Sequence, residues 1–369
     1  MYKLFSYRHK PRSRSIFSGL FLSGAFLLLI STQAMAYEID PDATISDSTA
    51  TLMGVNHIGL SVRDLDASLD FYQRASGFKV IRREVVRNNS AADKLFGREG
   101  IEYEVAVLEA PNMLLELTEF SHNRDIPISK MPVEGPGMTH TCFQSPSHLS
   151  GYDKFKRAGA EMLSRGDGPV DLLGQGVTYA YAYDPEGNMI ELEQLDFSRL
   201  GGDPRNPEWI EQGLDLWMTQ VALVTHDIER LTDYYSKIMG FNPYRTADIA
   251  DRVTFDDATD VDDVELKVMF FRMAQRSKSM EFWQYDNPET TQFLGNRDST
   301  ALGYTYSIEV GDIQAEYARM SDLGVEFVSD PVLLGIFWQV HANDIDGNAF
   351  SLRQAVDSGS PYSVPQLER

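Results

Sequence analysis

The sequence predicts an α+β fold of four βαβββ units, which form two paired-unit cupped-sheet domains. The main observation is a long repeat. The stretch "HIGLSVRDLDASLDFYQRASGFKV" at 57–80 returns without a gap as "QVALVTHDIERLTDYYSKIMGFNP" at 220–243. A second repeat links "LLGQGVTYAYAYDPEGNMIELEQ" at 172–194 to "LLGIFWQVHANDIDGNAFSLRQ" at 333–354. Self-similarity of this kind indicates a fold assembled from copies of one supersecondary unit.

A shorter repeat completes the division of the chain. "GMTHTCF" at 137–143 resembles "GYTYSIE" at 303–309, and each precedes a helical stretch. The chain therefore divides into four units, at roughly 52–121, 135–197, 216–288 and 301–356.

Each unit begins with a strand and a helix. In "VNHIGLSV" the apolar Ile58 and Leu60 alternate with His57, which places the histidine on the opposite face of the strand. Asp64 is the predicted N-cap of the following helix and Gly77 its end. The apolar face should pack on the helix, which leaves the other face of the strands to line a concavity.

Composition shifts predict where the domains divide. Residues 198–215, "SRLGGDPRNPEWIEQGLD", are rich in Gly, Pro and charge and indicate a linker. The predicted domains are 52–197, which pairs the first two units, and 216–356, which pairs the last two. The tail at 357–369 is expected to be frayed.

The first 36 residues have the layout of a secretory signal peptide. A basic start is followed by "SIFSGLFLSGAFLLLI" and by Ala34-Met35-Ala36, a small-x-small cleavage signal. We therefore expect a periplasmic protein, with an uncleaved N-terminal anchor as the alternative. No later segment is apolar enough to span a bilayer.

Charge and cysteine content restrict the partners. The net charge is −22, and removal of the first 36 residues would take away five further Lys or Arg. A surface this acidic repels nucleic acid and anionic lipid, so we expect neither as a partner. The single cysteine, Cys142, excludes an internal disulfide. It is interpreted as a small buried thiol, with an approach to a metal as the alternative.

Several of these motifs together resemble the vicinal oxygen chelate superfamily, which includes glyoxalase I, methylmalonyl-CoA epimerase, extradiol dioxygenases and bleomycin resistance proteins. They are "NHIGLSVRDLDASLDFY", "LLELTEF", "GMTHTCF" and "DPEGNMIELEQ". The resemblance covers about 52–356 and implies that two units make one metal centre. The ligands would come from the first and last strands of each unit.

Carried over by position, the resemblance implies the metal ligands His57, Glu116, His140 and Glu191. Strand parity supports His57 and Glu191, because both oppose apolar neighbours, whereas Glu116 shares its face with Leu114. Two imidazoles and two carboxylates suit a divalent Zn, Ni, Co, Mn or Fe(II) ion.

The second pair of units lacks such a set. The matching positions are Gln220, Glu281, Tyr306 and Ser351, and we expect this cup to be metal-free. Three other side chains of this pair are notable, namely Trp283, Tyr285 and Arg353. They are interpreted as core packing, with an anionic-ligand pocket as the alternative.

The resemblance implies a lyase or isomerase of the glyoxalase or epimerase type as the first hypothesis. The metal would bind two adjacent oxygens of the substrate, and Glu191, with Glu116 as its partner, would move the proton. Export argues against glutathione as the thiol, which favours a sugar-like, hydroxy-acid or ketone substrate.

Two other functions stay open at this level. One is an Fe(II) extradiol dioxygenase, which uses two His and one Glu. The other is a non-catalytic ligand-binding protein of the resistance type. The sequence does not specify the substrate, the particular metal or the oligomeric state.

Overall fold

The computed structural model describes residues 38–39, 50–200, 211–273 and 278–367. The predicted signal peptide at 1–36 and most of the predicted linker, 201–210, lie outside the described residues. Within the described ranges, no helix is both long enough and apolar enough to cross a membrane.

The first half of the chain contains two strand–helix–strand units. A short strand, β1 (Glu38–Ile39), precedes them. Unit 1 consists of β2 (Leu52–Val62), α1 (Leu65–Ser76), β3 (Lys79–Val86), α2 (Ser90–Phe96), β4 (Tyr103–Glu109) and β5 (Leu114–Phe120). Unit 2 consists of β6 (Gly137–Pro146), α3 (Gly151–Ala158), β7 (Glu161–Met162), β8 (Val170–Asp171), β9 (Val177–Tyr183) and β10 (Met189–Leu195).

The second half repeats this order. Unit 3 consists of β11 (Trp217–Val224), α4 (Ile228–Met239), β12 (Arg245–Ile249), α5 (Val253–Thr259), β13 (Glu265–Arg272) and β14 (Ser279–Asn287). Unit 4 consists of β15 (Gly303–Val310), α6 (Ile313–Asp322), β16 (Glu326–Phe327), β17 (Val332–Leu334), β18 (Phe337–Asn343) and β19 (Ala349–Ala355). A last short helix, α7 (Val364–Leu367), follows.

The residues shared by the long repeat hold the first helix of units 1 and 3. The side chain of Asp64 accepts a hydrogen bond from the backbone of Ala67, and Asp227 does the same for Arg230. Gly77 ends α1 with a φ of 76° in the left-handed region, where glycine meets no steric penalty. The predicted cap and helix end are therefore confirmed.

The four units form two mixed sheets. The sheet here named the 1–4 sheet has the strand order β16-β18-β19-β15-β2-β5-β4-β3, with β17 beside β18. The sheet named the 2–3 sheet has the order β1-β12-β13-β14-β11-β6-β10-β9-β7, with β8 beside β9. The seam of the first is the antiparallel pair β2 and β15, and that of the second is β6 and β11.

This pairing corrects the predicted domains 52–197 and 216–356. Units 1 and 2 share no sheet but meet through α1 and α3, where the rings of Phe71 and Phe155 lie 6.0 Å apart. The hydroxyl of Tyr72 also donates to Asp184 in the turn between β9 and β10, at 2.9 Å. Units 1 and 2 therefore pack through their helical faces, while their first strands pair with units from the other half of the chain.

The apolar faces meet in one core, and the opposite faces form two cups. The shared core takes residues from all four units, among them Ile58, Phe143, Phe282 and Phe350. The 1–4 cup is the face of the 1–4 sheet that points away from this core, and its lining includes Tyr103, Val105, Leu114 and Phe120. The 2–3 cup is the corresponding face of the 2–3 sheet, and its lining includes Tyr181, Tyr183, Trp283 and Tyr285. The α+β class and the cupped sheets are confirmed.

The C-terminal tail is attached to the 1–4 sheet as far as Leu367. The backbone N–H of Val364 donates to Glu309 at 2.6 Å, and the amide of Asn56 donates to the carbonyl of Tyr362 at 2.9 Å. Leu367 is buried in the apolar cluster of the 1–4 cup. The prediction of a frayed tail is wrong over this stretch, because its side chains bury apolar surface there.

Candidate metal centre

Four polar side chains converge in the 2–3 cup from four neighbouring strands. Glu281 lies on β14, Gln220 on β11, His140 on β6 and Glu191 on β10, which is the order of those strands in the sheet. All four are buried, with exposed fractions between 2% and 7%. Buried polar groups of this kind must find partners, because their desolvation is otherwise uncompensated.

Three of the four touch one another directly. The Nε2 of His140 lies 3.0 Å from the Oε2 of Glu191. The amide nitrogen of Gln220 donates to the same carboxylate oxygen at 3.1 Å and lies 3.5 Å from His140 Nε2. The inward nitrogen of the imidazole, a carboxylate and an amide thus meet at one point.

Hydroxyl groups orient three of the four side chains from outside. Thr139 Oγ1 lies 2.9 Å from Nδ1 of His140, which leaves Nε2 facing inward. Thr219 donates to the amide oxygen of Gln220 at 3.2 Å, and Ser279 donates to Glu281 at 3.0 Å. Such outer partners are typical of metal sites, where they fix the orientation of the ligands.

The two carboxylates create an excess of negative charge. Burial, followed by the charge of Glu191, raises the pKa of Glu281 from 4.5 to about 8, although the guanidinium of Arg245 opposes the shift. Glu193 adds a further negative charge nearby. A divalent cation among these groups would offset the repulsion.

The donor set fits such an ion. It offers one imidazole nitrogen, two carboxylates and one amide, a combination of N and O ligands that suits borderline first-row divalent metals. Cys142 lies close to Glu191 and Glu193. Burial, however, raises the pKa of its thiol well above the usual range, which disfavours the thiolate form that binds metals. Gln144 also holds Glu193, by donating to it at 2.6 Å.

Aromatic side chains and a cross-cup contact enclose the centre. The rings of Tyr181 and Trp283 lie 5.1 Å and 6.4 Å from that of His140. Above them, the segment 163–172 of unit 2 contacts α5 of unit 3. The backbone of Arg165 donates to Asp257 at 2.7 Å. Trp283 and Tyr285, interpreted from sequence as packing residues, belong to the apolar lining of this cup.

The 1–4 cup holds the other two predicted ligands, His57 and Glu116, beside two arginine side chains. The Nη2 of Arg353 lies 3.2 Å from Glu116, and that of Arg82 lies 3.4 Å from the same oxygen. Burial raises the pKa of Glu116, but the two guanidinium groups outweigh it and the pKa falls to about 2. Burial and Arg353 lower the pKa of His57 to about 3.

Unit 4 supplies serines to the 1–4 cup at the strand positions that hold ligands in the 2–3 cup. The residue opposite His57 on β15 is Ser307, and β19 contributes Ser351. Tyr306, which the repeat aligns with His140, lies on the other face of its strand, where its hydroxyl contacts that of Tyr235. With two cations already at Glu116, this cup does not fit a metal ion.

The four predicted ligands therefore do not meet at one site. His140 and Glu191 lie in the 2–3 cup, whereas His57 and Glu116 lie in the 1–4 cup. The residues that complete the 2–3 centre, Gln220 and Glu281, were assigned to a metal-free pair. The repeat had placed both at ligand positions, but the assumption that unit 1 pairs with unit 2, and unit 3 with unit 4, separated them from their partners.

Two family models match the chain, at residues 54–192 and 219–336, and both describe the glyoxalase/bleomycin resistance protein/dioxygenase superfamily. The chain belongs to this superfamily. The resemblance drawn from the motifs is thereby confirmed, and the matches cover all four first strands of the units.

Curated relatives in the family are enzymes of more than one type. The chain is 27% identical over 143 residues to an ethylmalonyl-CoA/methylmalonyl-CoA epimerase of Cereibacter sphaeroides, which covers 38% of this chain and 97% of the relative. It is 28% identical over 171 residues to a lactoylglutathione lyase of Pseudomonas aeruginosa, covering 44% and 94%. A rice lactoylglutathione lyase is 26% identical over 195 residues, but only 56% of its length is aligned.

Solved structures of the family share the fold. Glyoxalase I from Zea mays superposes with a TM-score of 0.53 at 21% identity, covering 82% of this chain and 92% of the maize chain. A dioxygenase-like protein of Bacillus subtilis gives a TM-score of 0.52 at 10% identity, covering 84% and 87%.

Proposed function

We propose that this protein is a metal-dependent lyase or isomerase that moves a proton on a small substrate with two adjacent oxygens. The observation that supports it is the buried contact of His140, Glu191 and Gln220 in the 2–3 cup, with Glu281 on the adjacent strand β14. The superfamily contains lyases and epimerases, which supports this reaction class at the coarse level.

The four side chains would hold the ion, and the two carboxylates would handle the proton. A bound divalent ion supplies Lewis acidity that makes a C–H beside a carbonyl easier to ionise. Glu281 replaces Glu116 as the partner of Glu191, since only Glu281 shares the cup. A bound cation would favour the ionised form of Glu281, which is the form that accepts a proton.

The surroundings support proton transfer in a protected site. Tyr181, Trp283 and the 163–172 segment cover the carboxylates with apolar surface. Exclusion of water strengthens the interactions between charged groups inside the cup and protects a reactive intermediate. Gln220 and His140 hold Glu191 by the contacts described above, which leaves Glu281 less restrained.

The donor set disfavours the ring-cleaving dioxygenase alternative. A non-haem Fe(II) oxygenase typically uses two imidazoles and one carboxylate. Of the four residues that meet in the 2–3 cup, only His140 is an imidazole, because His57 lies in the other cup. The non-catalytic alternative fits the 1–4 cup better than the 2–3 cup.

We also infer export, with residues 1–36 as the signal peptide. In that compartment glutathione is not the expected carrier, so a hydroxy acid, hydroxy ketone or sugar-like substrate is proposed. This inference depends on the sequence alone.

Deuterium exchange tests the reaction class. The chain from residue 37 onward would be loaded in turn with Zn, Ni, Co, Mn and Fe(II), then mixed in D₂O with hydroxy ketones, hydroxy acids and the hemithioacetal of glutathione. NMR should show metal-dependent deuterium uptake at the carbon beside the two oxygens. Oxygen uptake with catechols and no deuterium exchange would refute the proposal in favour of a dioxygenase.

A further inference from the structure

The 1–4 cup contains a cleft that the proposed metal chemistry does not use. The cleft has a solvent-accessible volume of about 60 Å³, opens to solvent, and is lined by His57, Glu116 and Arg353. It is separate from the metal centre because the two cups lie on different sheets. This is room for several water molecules, enough to admit a small polar group such as a carboxylate.

Two guanidinium groups lie in the floor of the cleft. Arg82 and Arg353 both contact the same oxygen of Glu116. Glu84 also approaches Arg82, at 3.6 Å, with its side chain 48% exposed. Burial lowers the pKa values of His57 and His341 to about 3 and about 4, so neither adds charge at neutral pH. The guanidinium groups therefore outnumber the buried carboxylate, while the more exposed Glu84 completes the charge balance of the lining.

Three buried nitrogen atoms in the floor have no hydrogen-bond partner among the described residues. They are Nε of Arg353, Nε of Arg82 and Nδ1 of His341. Arg353 itself is 2% exposed, while its other guanidinium nitrogens contact Asn56, Gln339 and Glu116. Unsatisfied buried donors are costly and uncommon in folded proteins. A ligand with acceptor oxygens would satisfy them.

One wall of the cleft is apolar and aromatic. Phe96 lies at its centre, with ring distances of 5.5 Å to Tyr103, 5.2 Å to Phe120 and 4.9 Å to His341. Leu95 and Leu334 complete this wall. The cleft thus has guanidinium groups in its floor and, along one wall, an aromatic surface about the size of one ring.

We propose that the 1–4 cup binds a small monocarboxylate with an aromatic or apolar body, its carboxylate on Arg82 and Arg353 and its body against Phe96. The oxygens of a carboxylate would accept from Nε of Arg82 and Nε of Arg353, which have no other partner among the described residues. Binding requires no metal ion.

Calorimetry with phenylacetate tests the proposal. Phenylacetate should bind to the metal-free chain, whereas neutral phenylacetamide and acetate should each bind more weakly, by roughly tenfold or more, as expected on losing a charge-assisted bond or the apolar body. Equal binding of phenylacetate and phenylacetamide would overturn the assignment of the cationic floor.

Matched variants locate the site. Arg82→Gln should weaken phenylacetate binding by roughly tenfold or more. Arg83→Gln is the control, because the neighbouring Arg83 pairs with Asp66 and Glu104 on the other face of β3. Phe96→Ala should weaken binding as well. Unchanged binding in both Arg82→Gln and Phe96→Ala would overturn the proposal.

A further pair of variants separates this proposal from that of the metal centre. His140→Ala should leave phenylacetate binding unchanged even though it removes a metal ligand. Loss of phenylacetate binding in His140→Ala, together with normal binding in Arg82→Gln, would place the ligand in the 2–3 cup and refute the inference.

Discussion

The two cups have the same scaffold but opposite charge environments. Each has a histidine on the first strand of one unit and a glutamate on its last strand, His57 with Glu116 and His140 with Glu191. In the 2–3 cup the partner unit adds Glu281, so carboxylates lie together. In the 1–4 cup the partner unit adds Arg353, which neutralises Glu116. The difference shows that the residue donated by the opposite unit decides whether a cup can hold a metal.

Replacing the two equivalent histidines should give the largest difference between the cups. We expect His140→Ala to lower metal-dependent deuterium exchange by at least about 100-fold, because the site loses its imidazole and the orientation of Glu191. His57→Ala should stay near the wild-type rate. Circular dichroism would establish that both variants are folded. Equal losses in the two variants would remove the distinction between the cups.

Arg353→Met should strongly destabilise the protein, whereas it should not affect metal content. The change leaves Glu116 buried beside only Arg82, and breaking a buried ion pair costs roughly 3–5 kcal/mol. Urea unfolding would measure this. The double variant Arg353→Met with Glu116→Leu removes both charges and should recover part of the loss. A fully stable single variant would mean that the pair does not stabilise the 1–4 cup.

Gln220→Ala should weaken metal binding without abolishing it. Three donors remain, so the expected fall in affinity is on the order of 10–100-fold, the range seen on loss of a supporting group at a metal site. Ser307→Ala is the control, since Ser307 lies beside the corresponding histidine of the 1–4 cup. Competition with a chelating dye would report both affinities. Unchanged affinity in Gln220→Ala would support the sequence-based expectation of a degenerate position.

The smallest predicted effect is a difference in pH dependence of the metal-free protein. Because the folded-state pKa of Glu281 is raised from 4.5 to about 8, folding should lose stability as the pH rises through this interval. Glu116 has a folded-state pKa lowered to about 2, so its contribution should be lost as the pH falls from 4.5 toward that value.

Thermal unfolding across pH would check the signs. Glu281→Gln should flatten the decline above pH 4.5, and Glu116→Gln should flatten the decline below it. An unchanged profile in Glu281→Gln would show that this carboxyl does not titrate in the stated range.

Local structure was predictable from the sequence because its causes are local. Asp64 and Gly77 cap the helix through neighbouring backbone atoms, and the alternation around His57 fixes which side chain faces the cup. The same reasoning placed Glu191 on the cup face. These features depend only on residues that are close to one another in the sequence.

The pairing of the units was not predictable in this way. The first strands of all four units have similar edges, so the repeat cannot indicate whether β6 pairs with β2 or with β11. The choice depends on contacts far apart in sequence, such as the packing of Phe71 on Phe155 and the bond from Tyr72 to Asp184. The wrong expectation that Gln220 and Glu281 lie in a metal-free cup follows from this ambiguity in the pairing of the units.

Metal content tests the central claim most directly, namely that units 2 and 3 form the metal centre. Wild type, Glu116→Gln and Glu281→Gln would be reconstituted with the same divalent ion, passed over a desalting column and analysed by mass spectrometry. We predict about one ion per chain in wild type and in Glu116→Gln, and a large loss in Glu281→Gln, because Glu281 is a donor of the 2–3 centre and Glu116 is not. Retention of the ion in Glu281→Gln together with its loss in Glu116→Gln would contradict the account.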